Sequence, residues 1–229
     1  MSRVWHLDAA GLIKVETGIA VPDSTSNLPG NIKQRKASPV MRVISGEFGG
    51  RALKTTAGSG YRPATDRVRE ALFSMLETRG VIWETSLVLD VFAGSGSLGI
   101  EALSRGAHLV WFLEKNRKAC KVIADNLNVF KVDKKRYSIQ ARDVFVLLKS
   151  SPRETFDVAF VDPPYGKDML HPVLELLLNK AWLAPSGFLA AEVEAGLKFD
   201  PEDLDALNLL VDRTYGQTRM CVWMRTSSA

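Results

Sequence analysis

Four consecutive residues, Asp162-Pro163-Pro164-Tyr165, could hold a flat group that carries an exocyclic NH2. They follow Phe156–Val161, an apolar run that predicts a buried parallel strand. The two prolines end that strand, because neither can donate to a sheet ladder and both fix φ. The Asp162 carboxylate and the Pro163 carbonyl oxygen are then two hydrogen-bond acceptors beside the ring of Tyr165. Aspartate before proline is also ordinary turn chemistry, so the tetrapeptide needs support from a second motif.

The second motif lies upstream, where residues 90–96 follow one predicted strand and open a helix. Its glycines allow a sharp turn and a close approach of the backbone to a ligand. Glu114 ends the next predicted strand, where a carboxylate can accept both hydroxyls of a ribose. Asp143 follows the third strand and is placed to reach an adenine edge. The predicted cofactor-binding residues are Asp90, Phe92, Ala93, Gly94, Ser95, Gly96, Glu114, Asp143 and Asp162.

This second motif is compatible with two cofactors. Gly94-x-Gly96-x-x-Gly99 satisfies the dinucleotide pattern, which favours NAD. However, Asp90 lies four residues before the first glycine, and a carboxylate there suits a cationic amino-acid ligand better than a pyrophosphate. The tetrapeptide at 162–165 also has no obvious role in hydride transfer. S-adenosylmethionine (SAM), an adenosine bearing an amino acid and a sulfonium, therefore fits better.

The composition is that of a globular protein of one sizeable domain with a small appendage. The chain has 229 residues, 46% of them hydrophobic, and a formal net charge of +4. We expect no membrane partner, because no apolar run reaches the roughly 18 to 20 residues that span a bilayer. The N-terminus lacks the pattern of a signal peptide, and the two cysteines and three histidines show no metal-ligand spacing. We therefore expect a cytoplasmic protein with reduced thiols and no metal.

Positive charge is concentrated ahead of the main domain. Residues 31–79 hold ten Lys and Arg against four Asp and Glu, whereas residues 80–229 hold 18 against 19. This bias predicts a polyanionic partner, with nucleic acid first. The predicted RNA-phosphate contacts are Arg42, Arg51, Lys54, Arg62, Arg67 and Arg69. Alternatively some of these side chains pair internally, as Arg69 could with Asp66.

The chain divides into three predicted regions. Residues 1–40 are expected to be a flexible or weakly ordered tail, and residues 41–80 a basic RNA-binding extension. In that extension we predict a β-hairpin of strands 41–46 and 51–54, then a helix capped by Thr65 or Asp66 that ends at Arg79. In residues 81–229, strands are predicted at 86–92, 108–113, 137–141, 156–161 and 187–193, helices at 97–105, 118–130, 144–149 and 169–180, and closing strands at 207–215 and 218–224. This alternation implies an α/β fold with a parallel, doubly wound sheet.

The two motifs resemble those of a known enzyme class. Residues 90–96 resemble motif I of class I SAM-dependent methyltransferases, with Glu114 as their ribose-binding acid and Asp143 as their adenine-proximal acid. Residues 162–165 resemble the (Asn/Asp/Ser)-Pro-Pro-(Tyr/Phe/Trp) motif of the branch that methylates amino groups. The resemblance implies the Rossmann-like fold of that class, with a mostly parallel seven-stranded sheet and helices on both faces. It also implies that Asp162, Pro163 and Tyr165 are catalytic.

Three further segments resemble the RsmD family of bacterial 16S rRNA (guanine-N2)-methyltransferases. They are Arg42-Val43-Ile44-Ser45-Gly46, the arginine-rich run at 62–73, and Tyr215-Gly216-x-Thr218. The resemblance covers residues 41 to about 225. It implies methyl transfer from SAM to the exocyclic N2 of a guanine, with 16S rRNA in an assembling small ribosomal subunit as the partner and a monomeric enzyme. Residues 1–40 depart from the family pattern.

Two other functions remain open at this stage. The tetrapeptide at 162–165 serves the N6 amine of adenine equally well, so an N6-adenine methyltransferase acting on DNA or RNA is the first alternative. The second is a non-catalytic SAM-binding factor of ribosome assembly. Intact Asp162 and Tyr165 argue against this second alternative.

Overall fold

The computed structural model describes residues 6–7, 13–14, 41–56, 63–202 and 204–226. The chain forms two compact units, Met1–Lys36 and Ala37–Ala229. In the first unit, β1 (His6–Leu7) and β2 (Ile13–Lys14) pair antiparallel. The remainder of the predicted tail lies outside the described residues.

The second unit is built on a seven-stranded sheet. Its strands are β3 (Leu87–Val91), β4 (Leu109–Leu113), β5 (Tyr137–Gln140), β6 (Phe156–Val161), β7 (Leu183–Glu194), β8 (Leu207–Tyr215) and β9 (Thr218–Arg225). They lie in the order β5-β4-β3-β6-β7-β9-β8. The first five in that order are parallel, and β9 pairs antiparallel with both β7 and β8. The predicted fold class is thus confirmed.

Helices cover both faces of this sheet. They are α1 (Pro63–Thr78), α2 (Ser97–Ser104), α3 (Arg117–Phe130), α4 (Val144–Leu148) and α5 (Leu170–Asn179), with short 3-10 turns at Trp83–Thr85 and Lys134–Arg136. Buried side chains of α1, α2 and α3 form one apolar cluster with the sheet, and those of α4 and α5 form a second. Among the described residues, no helix combines the length and the apolar character that crossing a bilayer requires.

The predicted extension packs into the same core as the main domain. The ring of Phe48 stacks on Phe130 at the end of α3, with their centroids 5.1 Å apart. Phe73 of α1 lies 5.4 Å from Phe160 of β6 and is fully buried. Residue 80 is therefore no boundary between compact units, because apolar side chains on both sides of it share one cluster.

Three predicted elements need correction. The hairpin at 41–54 reduces to a single antiparallel bridge between Arg42 and Ala52, because the backbone N–H groups of Ile44 and Ser45 donate to a side chain of α2 instead of a strand partner. Helix α1 begins at Pro63, before the predicted caps, since proline is pre-organised for the first turn of a helix. Strand β7 begins at residue 183, four residues early, and the Pro-Ser-Gly run at 185–187 that predicts a turn lies within it.

Candidate active site

A cavity of about 850 Å³ opens at the carboxyl ends of the central strands. Strand β3 has β4 on one side and β6 on the other. The strands that follow β3 in the chain are therefore added first on one side of it and then on the other. Such a switch point is where open α/β sheets bind ligands, and ligand pockets commonly enclose about 300 to 1,000 Å³. The lining side chains include Thr56, Phe92, Glu114, Asp143, Asp162, Tyr165 and Glu192. The position and size suit a nucleoside-bearing ligand.

The loop after β3 turns sharply to enter α2. Phe92, Gly94 and Gly96 all have positive φ, at 62°, 54° and 78°. Asp90 is only 2% exposed, and its Oδ2 accepts a 2.9 Å hydrogen bond from the backbone N–H of Gly99. Burial raises the pKa of the Asp90 carboxyl to about 7, although that hydrogen bond offsets part of the effect. Asp90 therefore holds the first turn of α2, and its contact with a bound ligand stays a prediction.

The third glycine of the motif has a packing role. A Cβ at Gly99 would lie 2.3 Å from the ring of Phe112 in β4, so α2 could not approach the sheet with any larger residue there. The contact of helix and strand thus explains the third glycine, and positive φ explains the first two. The Gly-x-Gly-x-x-Gly spacing does not by itself indicate a dinucleotide.

The Glu114 carboxylate links the loop after β3 to the loop after β4. Its Oε2 accepts the N–H of Gly94 at 2.9 Å, and its Oε1 accepts the N–H of Asn116 at 2.7 Å. Asp143 caps α4 by accepting from Phe145 N at 3.0 Å, and its other oxygen lies 3.6 Å from Lys115 Nζ. Both carboxylates also line the cavity, and their contacts with a cofactor stay a prediction.

The cavity is acidic. Four carboxylates line it, Glu114, Asp143, Asp162 and Glu192, against two lysines, Lys115 and Lys167. An excess of negative charge attracts a cationic ligand and disfavours a pyrophosphate. This distribution favours SAM over NAD for the site.

The predicted catalytic tetrapeptide forms the mouth of the cavity. Asp162 is the first residue after β6 and opens into the cavity, while Pro163 is buried behind it. Tyr165 is 47% exposed, and its hydroxyl lies 3.1 Å from the Thr218 hydroxyl at the start of β9. The three predicted catalytic residues therefore surround one space, with a ring available for stacking.

Among the residues of this site that sequence reasoning missed, Thr56, Glu192 and Thr218 matter most. Thr56 and Glu192 line the cavity, and Thr218 contacts Tyr165. A detectable signal existed for Glu192, because a carboxylate inside the otherwise apolar run of β7 is exceptional unless it is used. Thr218 belonged to a segment singled out only for its resemblance, and no sequence pattern brings Thr56 to the cavity.

Asp162 and Glu192 affect each other's ionisation. The side chain of Asp162 is exposed to the cavity, yet neighbouring protein atoms partly desolvate its carboxyl. This desolvation raises the pKa of the Asp162 carboxyl well above its usual range, and the charges of Glu192 and Asp90 raise it further. Desolvation also raises the pKa of Glu192, while a hydrogen bond from Thr218 lowers it in part.

The predicted RNA contacts occupy different environments. Arg42, Arg51, Lys54 and Arg67 are exposed, whereas Arg62 lies outside the described residues. Arg51 donates to the carbonyl of Val129 at 2.7 Å, and its guanidinium lies 4.4 Å from the centre of the Phe130 ring.

Arg69 is the exception and needs correction. It is only 6% exposed, its guanidinium pairs with Asp66 at 3.0 Å, and it donates to the carbonyl of Arg42. Because its guanidinium points into the protein, Arg69 joins α1 to the segment at 41–56. It is unsuited to contact phosphate.

The fold and this site define the class of the protein. A seven-stranded sheet with one antiparallel edge pair, and a ligand cavity at its switch point, are features of the class I methyltransferases. The solved structure of the Escherichia coli protein yhhF matches with a TM-score of 0.71 and 29% identity, covering 83% of this chain and all of that one. The chain is therefore a class I methyltransferase.

The chain belongs to the family described as Conserved hypothetical protein 95, which matches residues 41–224. It is 37% identical to YlbH of Bacillus subtilis (strain 168) over 186 residues, which are 81% of this chain and 99% of the relative. It is also 37% identical to ribosomal RNA small subunit methyltransferase D of Escherichia coli (strain K12) over 163 residues, 70% of this chain and 79% of that protein.

Proposed function

We propose that this methyltransferase transfers a methyl group from SAM to the exocyclic N2 of a guanine in 16S rRNA. The observation that carries the proposal is the arrangement of Asp162, Pro163 and Tyr165 at the mouth of an acidic cavity. Support for the rRNA substrate comes from the similarity to ribosomal RNA small subunit methyltransferase D. The enzyme acts in the cytoplasm, as a monomer, on an assembling small ribosomal subunit.

The residues of the cavity fit SAM. Glu114, which follows β4, would accept from the ribose hydroxyls, and Asp143, which follows β5, would accept from the adenine amine. Phe92 and Val144 add apolar contact for the adenosine, and the excess of carboxylates suits a ligand with an ammonium and a sulfonium. When bound, SAM supplies an electrophilic methyl group.

The protein activates a poor nucleophile. The lone pair of guanine N2 is delocalised into the ring, and hydrogen bonds from its two N–H groups to the Asp162 carboxylate and the Pro163 carbonyl draw the nitrogen towards tetrahedral geometry. The carboxylate would also stabilise positive charge that develops on N2 as the new N–C bond forms and the S–CH3 bond of SAM breaks, which leaves neutral S-adenosylhomocysteine. Asp162 then lies next to the N2 proton that must leave. Tyr165 stacks on the base and fixes its orientation.

The target base must be unpaired or flipped out of its helix, because a paired base cannot enter such a site. The exposed side chains of Arg42, Arg51, Lys54 and Arg67 would hold the surrounding RNA through phosphate contacts, together with Arg62. These contacts position the RNA and leave the choice of base to the cavity.

We expect Glu114→Ala to weaken SAM binding by at least about tenfold, since hydrogen bonds to a charged group contribute about 1.5 to 3 kcal/mol. The variant loses the ribose acceptor and also the bonds that hold Gly94 and Asn116. Isothermal titration calorimetry measures the change, with the exposed Glu154→Ala as the matched control. Unchanged SAM affinity in a folded Glu114→Ala protein would remove Glu114 from the cofactor site.

The function is tested by methyl transfer from labelled SAM into unmodified small ribosomal subunits, with mass spectrometry of the digested nucleosides. We expect label in N2-methylguanosine. Label in N6-methyladenosine would retain the role of Asp162 and discard guanine as the target. Tight SAM binding without transfer to small subunits, free rRNA or DNA would leave the non-catalytic assembly factor as the better proposal.

A further inference from the structure

A second carboxylate stands beside the catalytic one. Val161 pairs with Ala191 in the parallel ladder of β6 and β7. Asp162 is the first residue after β6, and Glu192 of β7 is the next residue in the same register. Both line the cavity. The N2 chemistry proposed above uses the Asp162 carboxylate and a backbone carbonyl, so it leaves Glu192 without a role.

The structure holds Glu192 in a fixed position relative to the stacking ring. The Thr218 hydroxyl lies 3.1 Å from the Tyr165 hydroxyl and also makes a hydrogen bond to the Glu192 carboxylate. A hydroxyl has one proton, so Thr218 donates to ionised Glu192 and accepts from Tyr165. One side chain thus contacts both the Tyr165 hydroxyl and the Glu192 carboxylate.

The two candidate bases differ at the atom next to the reactive amine. Guanine carries an N1–H donor beside N2, whereas adenine carries an N1 lone pair beside N6. We propose that Glu192 is a specificity-determining residue that accepts the N1–H of guanine while Asp162 and Pro163 hold the N2 amine. The proposal rests on the function proposed above and deepens it. Adenine in the same pose would set its N1 lone pair against the carboxylate, and a site built for one hydrogen bond strongly rejects a base that cannot make it.

The proposed selectivity depends on the ionisation of Glu192. Burial raises the pKa of its carboxyl, and the Thr218 hydroxyl offsets part of that effect. The titratable groups around it are Asp162, Tyr165, Lys167 and Glu194. Protonation turns the carboxylate from an acceptor into a donor, so the preference for guanine holds above the pKa of Glu192 and weakens as the pH falls through it.

The test uses binding, which does not depend on turnover. The probes are fluorescein-labelled single-stranded RNA heptamers of uridine with one central guanosine, adenosine or 1-methylguanosine. Fluorescence anisotropy measures their affinity for the full-length protein saturated with S-adenosylhomocysteine. We expect the wild type to prefer guanosine at least about tenfold over both other probes, and Glu192→Gln to lose that preference, because its amide can donate to adenine N1.

Glu194→Gln is the matched control, since residue 194 lies on the same strand and its position pairs with Thr218 across the ladder. It should keep the preference for guanosine. A Thr218→Val variant should lose part of the preference, and Thr218→Ser, which keeps the hydroxyl, should restore it. This second pair keeps the inference testable if Glu192→Gln does not fold.

Equal or undetectable binding of all three probes by the wild type would overturn the inference, as would a Glu192→Gln protein that keeps the preference. The outcome for the proposed function is separate. Small subunits that acquire N2-methylguanosine while the probes bind equally would leave the function standing and remove only the role of Glu192. Selective probe binding without any transfer to small subunits would support the role of Glu192 and contradict the proposed function.

Discussion

Replacing Asp162 with alanine is expected to reduce methyl transfer about a hundredfold to a thousandfold while SAM affinity changes little. The alanine removes the side-chain acceptor for the target amine and the negative charge that stabilises the developing cation, and losing one such group typically lowers kcat by about 10² to 10³. SAM binding persists because the ribose and adenine contacts are made by Glu114 and Asp143. Single-turnover transfer of labelled methyl groups and titration calorimetry measure the two quantities separately.

Asp162→Asn separates charge from geometry. Asparagine keeps an oxygen acceptor at the same place and lacks the charge, so this variant should fall between the wild type and the alanine. Asp168→Ala is the control, because Asp168 is an exposed aspartate in the loop that follows the tetrapeptide. Loss of SAM binding in Asp162→Ala, or turnover equal to that of the control, would show that the assigned role is wrong.

The pH dependence of turnover should follow the same carboxylate. Desolvation and the neighbouring carboxylates raise the pKa of Asp162 well above its usual range. Its stabilising charge is therefore present above that raised pKa and is lost as the pH falls through it. We expect kcat to decline on the acid side at a higher pH than an ordinary aspartate would give, and Asp162→Asn to lose that acid limb.

The elements that position the site could be predicted because their signals are local. Strand β6 was predicted with its observed bounds, Phe156–Val161, since an apolar run ended by two prolines has few other conformations. The carboxylates Glu114 and Asp143 fall at strand ends, where alternating strands and helices bring ligand-binding groups together. The fold and the sheet edge at which the candidate site lies thus follow from the spacing of apolar residues and from the prolines and carboxylates at strand ends.

The residues that sequence reasoning misplaced act through contacts with distant parts of the chain. Arg69 was predicted to contact RNA phosphate or to pair with Asp66; it pairs with Asp66 and also donates to the carbonyl of Arg42, 27 positions earlier. Thr218 contacts Tyr165, which is 53 positions earlier in the sequence, and the residues around neither position predict that contact. Side-chain partners of this kind depend on how the extension and the β8–β9 pair fold back, which periodicity cannot specify.

A buried glutamate of α2 joins the extension to the main domain, and its removal should have a large effect on stability. Glu101 is fully buried, and its carboxylate accepts the backbone N–H of Ile44 at 2.7 Å and of Ser45 at 3.1 Å. It also pairs with Arg105 at 2.9 Å. Glu101→Ala leaves two backbone donors and a mostly buried guanidinium without this partner. We expect a loss of about 3 to 5 kcal/mol in the free energy of unfolding, measured with urea.

The matched control for Glu101→Ala is Asp125→Ala, which removes an ion pair at the same i,i+4 spacing on the exposed face of α3. An exposed pair contributes about 0 to 1 kcal/mol, so the control should unfold nearly as the wild type does. Equal stability of the two variants would mean that Glu101 does not anchor the extension. Thr56 of the extension lines the cavity, so a folded Glu101→Ala protein should also bind SAM more weakly. The anchor thus links the stability of residues 41–56 to the completeness of the site.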